Sequence, residues 1–370
     1  MADVVALNLP GGPTFVDAVR RCWDSGAAVL PLSPSAPAAW TATIIDALCP
    51  THIVESDGVC RALDGGLPTE NGDALIMATS GTTGSPKGVV HTMESIEFAA
   101  FASMTYLATG NDVSWLACLP LFHIGGFSVI SRALVCETDL VVHPGFDATE
   151  VELAALGGVT HVSLVPTALR RIDPTLFDRI LLGGSAIPAD RPANSVATYG
   201  MTESGAGVIY DGLPLNGVGL TVANDGEILL NGPTMLRCYR DGRLPFDEAG
   251  WYHTGDIGTV NAQTGLLRVE GRADDLIITG GENVWPHLVE KVIETHPAIR
   301  DVAVVGRADP EWGQRVTAVI VPLDGAEVPS LEAVRDLVKA ELPAWCAPKS
   351  LEVTDHIPRT ALGKVQRKLL

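Results

Sequence analysis

The sequence has no C-x-x-C pair, no H-x-x-x-H pair and no apolar run long enough to span a bilayer. Its seven cysteines (Cys22, Cys49, Cys60, Cys118, Cys136, Cys238 and Cys346) are scattered and odd in number. That excludes a disulfide frame and a zinc site of the usual spacing, and it fits a reducing compartment. The first ten residues carry Asp3 and no basic residue ahead of their apolar run, unlike a secretory signal. A cytoplasmic protein without membrane insertion is expected. Positive charge is also scarce. Lys and Arg number 25 against 44 Asp and Glu, a net charge of −19. Such a surface repels nucleic acid and anionic membranes, so neither is an expected partner. An anionic ligand must then be held by local cations and backbone donors.

What is present is a globular chain. Its 370 residues are 46% hydrophobic, enough for two or three domains with cores. Apolar spacing predicts helices at 15–23, 38–48, 93–107, 126–134, 151–156 and 166–172. Strands are predicted at 27–32, 52–55, 74–78, 113–119, 139–142, 161–165 and 179–183, and the polar stretch 57–72 reads as a loop. Helix and strand in alternation predict an α/β body with parallel pairing. After Leu213 short strands and Gly-containing turns dominate, a β-rich texture. Residues 271–275 make the best boundary, and beyond them a compact α+β pattern returns. The expected fold is α/β: a large N-terminal domain, 1–272, with a β-rich part at about 213–272, then a small mobile α+β domain, 273–370.

Residues 79–89 read Thr-Ser-Gly-Thr-Thr-Gly-Ser-Pro-Lys-Gly-Val. Glycines let the backbone approach an anion, and hydroxyls and amides donate to phosphate oxygens. The loop is not a Walker A sequence, because Pro86 stands where that pattern needs glycine and no Ser or Thr follows Lys87. A plain flexible linker would not lock Pro-Lys-Gly between two apolar strands.

This loop resembles the phosphate loop of the adenylate-forming acyl-CoA ligase family, and five further motifs follow in that family's order. They are Tyr199-Gly-Met-Thr-Glu203, Gly226-Glu-Ile through Gly232-Pro233, Thr254-Gly-Asp256, Gly271 through Asn283, and Pro358 through Arg367. The resemblance implies ATP, Mg²⁺ and coenzyme A as reactants, a small-molecule carboxylate as substrate, and room for a homodimer. Thr79, Ser80, Gly81, Thr82, Thr83, Gly84 and Lys87 would hold phosphates. Glu203 would take Mg²⁺, Thr202 the α-phosphate, and Tyr199 with Gly200 the adenine. Gly184 and Ser185 would lie between adenine and acyl group. Asp256, on a tight turn, would accept the ribose hydroxyls with Arg272 assisting. Lys364 would bring positive charge to the reacting carboxylate, Asp274 would be a hinge, and Gly280 and Gly281 would face the thiol channel. Carboxylate activation accumulates charge on oxygen, so positioned donors and cations are the catalytic means.

The acyl pocket is less defined. Leu119-Pro-Leu-Phe-His-Ile-Gly-Gly126 resembles the family segment beside the substrate. His123 either gates that pocket, as one of the candidate catalytic and substrate residues, or is a core histidine. Ser163 and Thr167 resemble positions on the same wall. Arg132 interrupts an apolar helix and needs an anion: an internal Asp or Glu, or a second carboxylate on the substrate. The phosphate loop starts near residue 79, earlier than in most of the family, which implies a shortened N-terminal layer. Short forms of this kind resemble actinobacterial o-succinylbenzoate–CoA ligases of menaquinone synthesis, whose substrate has two carboxylates. That is the expected function. The alternatives are another aryl- or acyl-CoA ligase, an acyl-AMP ligase loading a carrier protein, or a non-catalytic nucleotide-binding relative.

Overall fold

The alternation of helix and strand resolves into two seven-stranded sheets in the computed structural model, which describes residues 1–80, 86–107, 112–185, 187–359 and 365–370. By its internal contacts the chain divides into two units. The first takes in Met1–Thr221, Leu229–His253 and Ala262–Leu266; the second takes in Val222–Ile228, Thr254–Asn261 and Leu267–Leu370.

In the first unit, one sheet runs in the order Cys238–Tyr239, Pro86–Thr92, Asp73–Ser80, Ala28–Pro31, Val4–Leu7, His52–Val54, Cys60–Ala62. Its centre is parallel, as the alternation predicts. Its Asp73–Ser80 and Pro86–Thr92 strands are antiparallel: only five residues separate them in sequence, fewer than the crossover that parallel pairing needs. The second sheet runs Leu213–Pro214, Ala206–Tyr210, Ser195–Met201, Arg179–Leu182, His161–Leu164, Ser114–Ala117, Asp139–Val142.

Helix Ile124–Val135 is buried at eight consecutive positions, from Gly126 to Ala133. A helix apolar all round must be covered all round. Phe127 meets Phe15 and Trp23 edge-on, at ring-centroid separations of 6.5 and 6.2 Å. Arg132, on the same helix, lies over Trp115 of the second sheet. Gly126 permits this seating, since a Cβ there would fall 2.3 Å from the Pro120 carbonyl oxygen.

The second unit contains a sheet of Glu282–Val284, Ile277–Thr279, Gly313–Pro322 and Ile299–Asp309, with Ser350–Val353 added in parallel beside Gly313–Pro322. Helices Pro286–Ile293 and Leu331–Glu341 contribute Val289, Ile293, Val334 and Val338 to its core. Three expectations change. The stretch 57–72 holds the short strand Cys60–Ala62, paired with His52–Val54. The helix expected over 166–172 stops at Leu169. The Thr-Gly-Asp motif is not a turn: it lies inside strand Tyr252–Val260, which continues through Gly255 at φ 69°.

Candidate active site

The phosphate-loop motif joins two paired strands. Thr79 is opposite Lys87, and its Oγ1 donates to the Lys87 carbonyl oxygen at 3.4 Å. Ser80 is the last residue of its strand. Gly81, Thr82, Thr83, Gly84 and Lys364 lie outside the described residues. The other edge of the Lys87 strand pairs with Cys238–Tyr239, Tyr239 opposite Val89. That register brings the Tyr239 ring to 5.7 Å from Lys87 Nζ and 4.7 Å from the Arg243 guanidinium carbon.

Tyr239 also reaches Glu203. Its hydroxyl donates to Glu203 Oε1 at 3.0 Å. Burial, with the Glu203 carboxylate adding to it, pushes the phenol up to about 12, so it stays a donor at neutral pH. Glu203 sits in the 3-10 turn Thr202–Ser204, which ends at Gly205 with φ 76°. Ser204 pins that turn by accepting from Met201 N and donating to the Ala206 carbonyl. His91 pins it from outside: its ring Nε2 and the Thr202 carbonyl oxygen are 2.7 Å apart. Burial depresses His91 to about 4, so the ring is neutral and Nε2–H donates.

Among the described residues, no group of three or more His, Cys, Asp or Glu is arranged to hold a metal ion. The single carboxylate of Glu203 suits Mg²⁺ that arrives on phosphate oxygens and keeps its waters.

Tyr199 and Gly200 lie on strand Ser195–Met201, at an irregularity in its pairing with Ala206–Tyr210. Gly200 has no alternative, because a Cβ there would sit 1.9 Å from the Ala206 carbonyl oxygen. Gly184 adopts φ 84° and Ser185 is exposed, both just beyond strand Arg179–Leu182.

The second unit holds the other nucleotide candidates. Asp256 and Arg272 are cross-strand partners, with Arg272 Nη1 3.2 Å from Asp256 Oδ1. The same guanidinium nitrogen donates to the Thr254 carbonyl at 3.0 Å. Asp274 is exposed in the 3-10 turn Ala273–Asp275. Gly280 and Gly281 form the two-residue hairpin between Ile277–Thr279 and Glu282–Val284, both with positive φ. That turn type alone favours glycine. A Cβ on Gly280 would also strike the Trp312 ring at 2.6 Å.

The acyl candidates separate into two groups. Arg132 helps line a small cavity of about 20 Å³ with His91, Ser95, Ser128, Ser131 and Gly205. That is room for one water or one carboxylate oxygen. Arg132 is 4% exposed, and its Nε and Nη1 have no hydrogen-bond partner among the described residues. The segments outside the description contain no Asp or Glu. The internal acid that could have answered Arg132 is therefore not found. The remaining candidates do not line this cavity. His123 precedes the helix, with Nε2 buried and without a partner among the described residues, and burial lowers its pKa. Ser163 is buried within strand His161–Leu164, and Thr167 is exposed.

Sequence reasoning missed Tyr239 and His91, which hold Glu203 and Thr202. Neither lies within a family motif. Only strand register, which depends on a partner far along the chain, reveals Tyr239.

Comparison with known proteins bears on the family of the chain. Residues 66–240 match the AMP-binding enzyme model and residues 288–364 match the AMP-binding enzyme C-terminal domain. A probable 2-succinylbenzoate–CoA ligase of Mycobacterium tuberculosis is 40% identical over 342 residues, covering 85% of this chain and 88% of that protein. The o-succinylbenzoate CoA synthetase of Bacillus subtilis, solved with the acyl-adenylate intermediate, superposes with TM-score 0.87 at 28% identity, covering 99% of this chain and 87% of that one. The same synthetase with ATP and magnesium gives 0.86 at 27% identity, covering 100% and 89%. The chain belongs to the AMP-binding enzyme family, the adenylate-forming acid–CoA ligases.

Proposed function

We propose that this chain joins o-succinylbenzoate to coenzyme A at the expense of ATP, the ligation used in menaquinone synthesis. The relatives named for that reaction support it. The observation that carries it is Arg132: a buried guanidinium, beside a cavity of carboxylate-oxygen size, with no acid of its own among the described residues. A buried cation without a partner is costly, and a substrate with a second carboxylate offsets that cost when it binds.

The reaction has two steps. An oxygen of one substrate carboxylate attacks the α-phosphorus of ATP and pyrophosphate leaves. The thiolate of coenzyme A then attacks the acyl carbon and AMP leaves. In the first step negative charge gathers on the phosphate oxygens, and Lys87 and the Thr202 hydroxyl are assigned to meet it. Glu203 would hold Mg²⁺, which neutralises phosphate charge when bound. Asp256 is assigned to the ribose hydroxyls, Arg272 orienting its carboxylate. Tyr199, Gly200, Gly184 and Ser185 are assigned to adenine and the space beside it. The phosphate-loop residues Thr79 to Gly84 and Lys364 keep the roles that family resemblance gives them, with Asp274 as pivot and Gly280 and Gly281 at the thiol. His123, Ser163 and Thr167 are assigned to the acyl pocket beyond Arg132. Seven free cysteines fit a cytoplasmic setting, and among the described residues no helix is long and apolar enough to cross a membrane.

Pyrophosphate release from o-succinylbenzoate and ATP, measured with and without coenzyme A and followed by mass analysis of the thioester, tests the reading. Acid-dependent release with thioester formed only when coenzyme A is present is expected. Adenylate formation with no thioester would move the chain to the carrier-loading ligases, and no release would make it a non-catalytic relative.

A further inference from the structure

Arg132 is held by something other than an acid. Its guanidinium carbon lies 4.6 Å from the ring centroid of Trp115, which is fully buried. Trp115 belongs to strand Ser114–Ala117, and the parallel register places it directly opposite His161. Their rings are 4.9 Å apart at 57°. Thr160 Oγ1 anchors the histidine at Nδ1, 2.8 Å away. Burial keeps His161 neutral by lowering it to about 4, so no second cation faces the guanidinium from this strand pair. Trp115 Nε1 has no hydrogen-bond partner among the described residues, so the ring is fixed by packing.

A cation over an aromatic face is attracted through the face of the ring, and the N–H donors of a guanidinium lie in its own plane. An aspartate or glutamate at the same place would hold the guanidinium by those N–H groups and consume them. An aliphatic residue would leave the desolvated charge with no counterpart. The indole stabilises the cation and leaves Nε and Nη1 available. Arg132 also lies in the last turn of its helix, where the backbone dipole favours a cation.

We propose that Trp115 is a positioning residue for substrate selection: its indole face takes the place of a carboxylate partner for Arg132, so that the guanidinium donors are kept for the second carboxylate of the substrate. This rests on the dicarboxylate reading above.

The test compares o-succinylbenzoate with its analogue bearing hydrogen in place of the ring carboxylate, in pyrophosphate release at saturating ATP. The wild-type chain, Trp115→Leu and Trp115→Phe are measured, each checked by its melting transition. Trp115→Leu is expected to raise KM for o-succinylbenzoate by about 10- to 30-fold, with KM for the analogue and both kcat values within about 3-fold of wild type. Trp115→Phe, with a weaker ring, is expected to raise only the dicarboxylate KM, by about 3-fold. If the leucine variant fails to fold, the phenylalanine variant decides on the same selectivity. Equal increases for both acids would reduce Trp115 to a packing residue, and an unchanged dicarboxylate KM would remove it from selection. Either result overturns this proposal and leaves the substrate reading standing. A wild-type chain that does not distinguish the two acids overturns both.

Discussion

The Tyr239 hydroxyl donates to Glu203 Oε1 at 3.0 Å, and the same tyrosine ring lies 5.7 Å from Lys87 Nζ. One side chain thus stands between the two charges assigned to the nucleotide, an acid for the metal and a base for the phosphates. Register makes this arrangement: Cys238–Tyr239 pairs with the very strand that carries Lys87. The Glu203 main chain is held as well, its carbonyl oxygen accepting from Leu236 N at 2.8 Å.

Tyr239→Phe removes the hydroxyl and keeps the ring beside Lys87. A hydrogen bond to a charged group contributes about 1.5–3 kcal/mol, so adenylate formation should fall roughly 10- to 100-fold. The Mg²⁺ dependence of that step should move to higher concentration, because Glu203 loses its orientation. Single-turnover pyrophosphate release, titrated with Mg²⁺, measures both. An unchanged Mg²⁺ dependence would separate Tyr239 from the metal site.

His91 sets a pH window for stability. In the fold its pKa is about 4, against an ordinary value of 6.5. Between those values the unfolded chain takes up a proton that the folded chain does not. The stability tied to neutral His91 is therefore complete above pH 6.5 and is lost as pH falls toward 4, on the order of 3 kcal/mol in all. His161 has a similar value and adds to the same window. Urea unfolding from pH 7.5 to 4 should show the decline. His91→Gln, which keeps an amide donor for the Thr202 carbonyl, should flatten it by up to one proton. An identical slope in the variant would show that His91 does not titrate in this range.

Gly200→Ala tests the close contact beneath Tyr199. The added Cβ would meet the Ala206 carbonyl oxygen at 1.9 Å, and backbone cannot rotate away as a side chain can. Overpacking of this kind costs about 1–3 kcal/mol, and a backbone obstacle places it at the upper end. Melting should drop by several degrees and ATP-dependent activity should fall with it. Gly145→Ala, where no atom lies within 4 Å, serves as the control and should melt like wild type. Equal melting of the two variants would mean that this pairing opens without cost.

The features legible in the sequence are those written locally. Helices Pro13–Asp24, Ala38–Leu48 and Met93–Leu107 follow from apolar spacing, and Lys87, Glu203 and Asp256 stand in contiguous motifs. Arg132 is conspicuous because it breaks an apolar helix. What answers it was not legible, since Trp115 and His161 become neighbours only through the pairing of strands Ser114–Ala117 and His161–Leu164. Tyr239 was hidden for the same reason. The Thr-Gly-Asp motif misled in the opposite direction: its composition is that of a turn, yet pairing of Asp256 with Arg272 keeps it extended. Gly280 and Gly281 carry two signals at once, and the hairpin accounts for both glycines before any thiol is considered.

The central claim is that Arg132 is reserved for a second substrate carboxylate, and Arg132→Ala tests it most directly. The measurement is kcat/KM for o-succinylbenzoate and for its analogue without the ring carboxylate, with KM for ATP alongside. Truncating one partner of a buried charge pair costs about 2–5 kcal/mol, so the dicarboxylate should lose roughly 30-fold or more. The analogue and ATP should change little, leaving a variant that no longer tells the two acids apart. A variant that loses both acids equally, or keeps the wild-type preference for the dicarboxylate, would contradict the account.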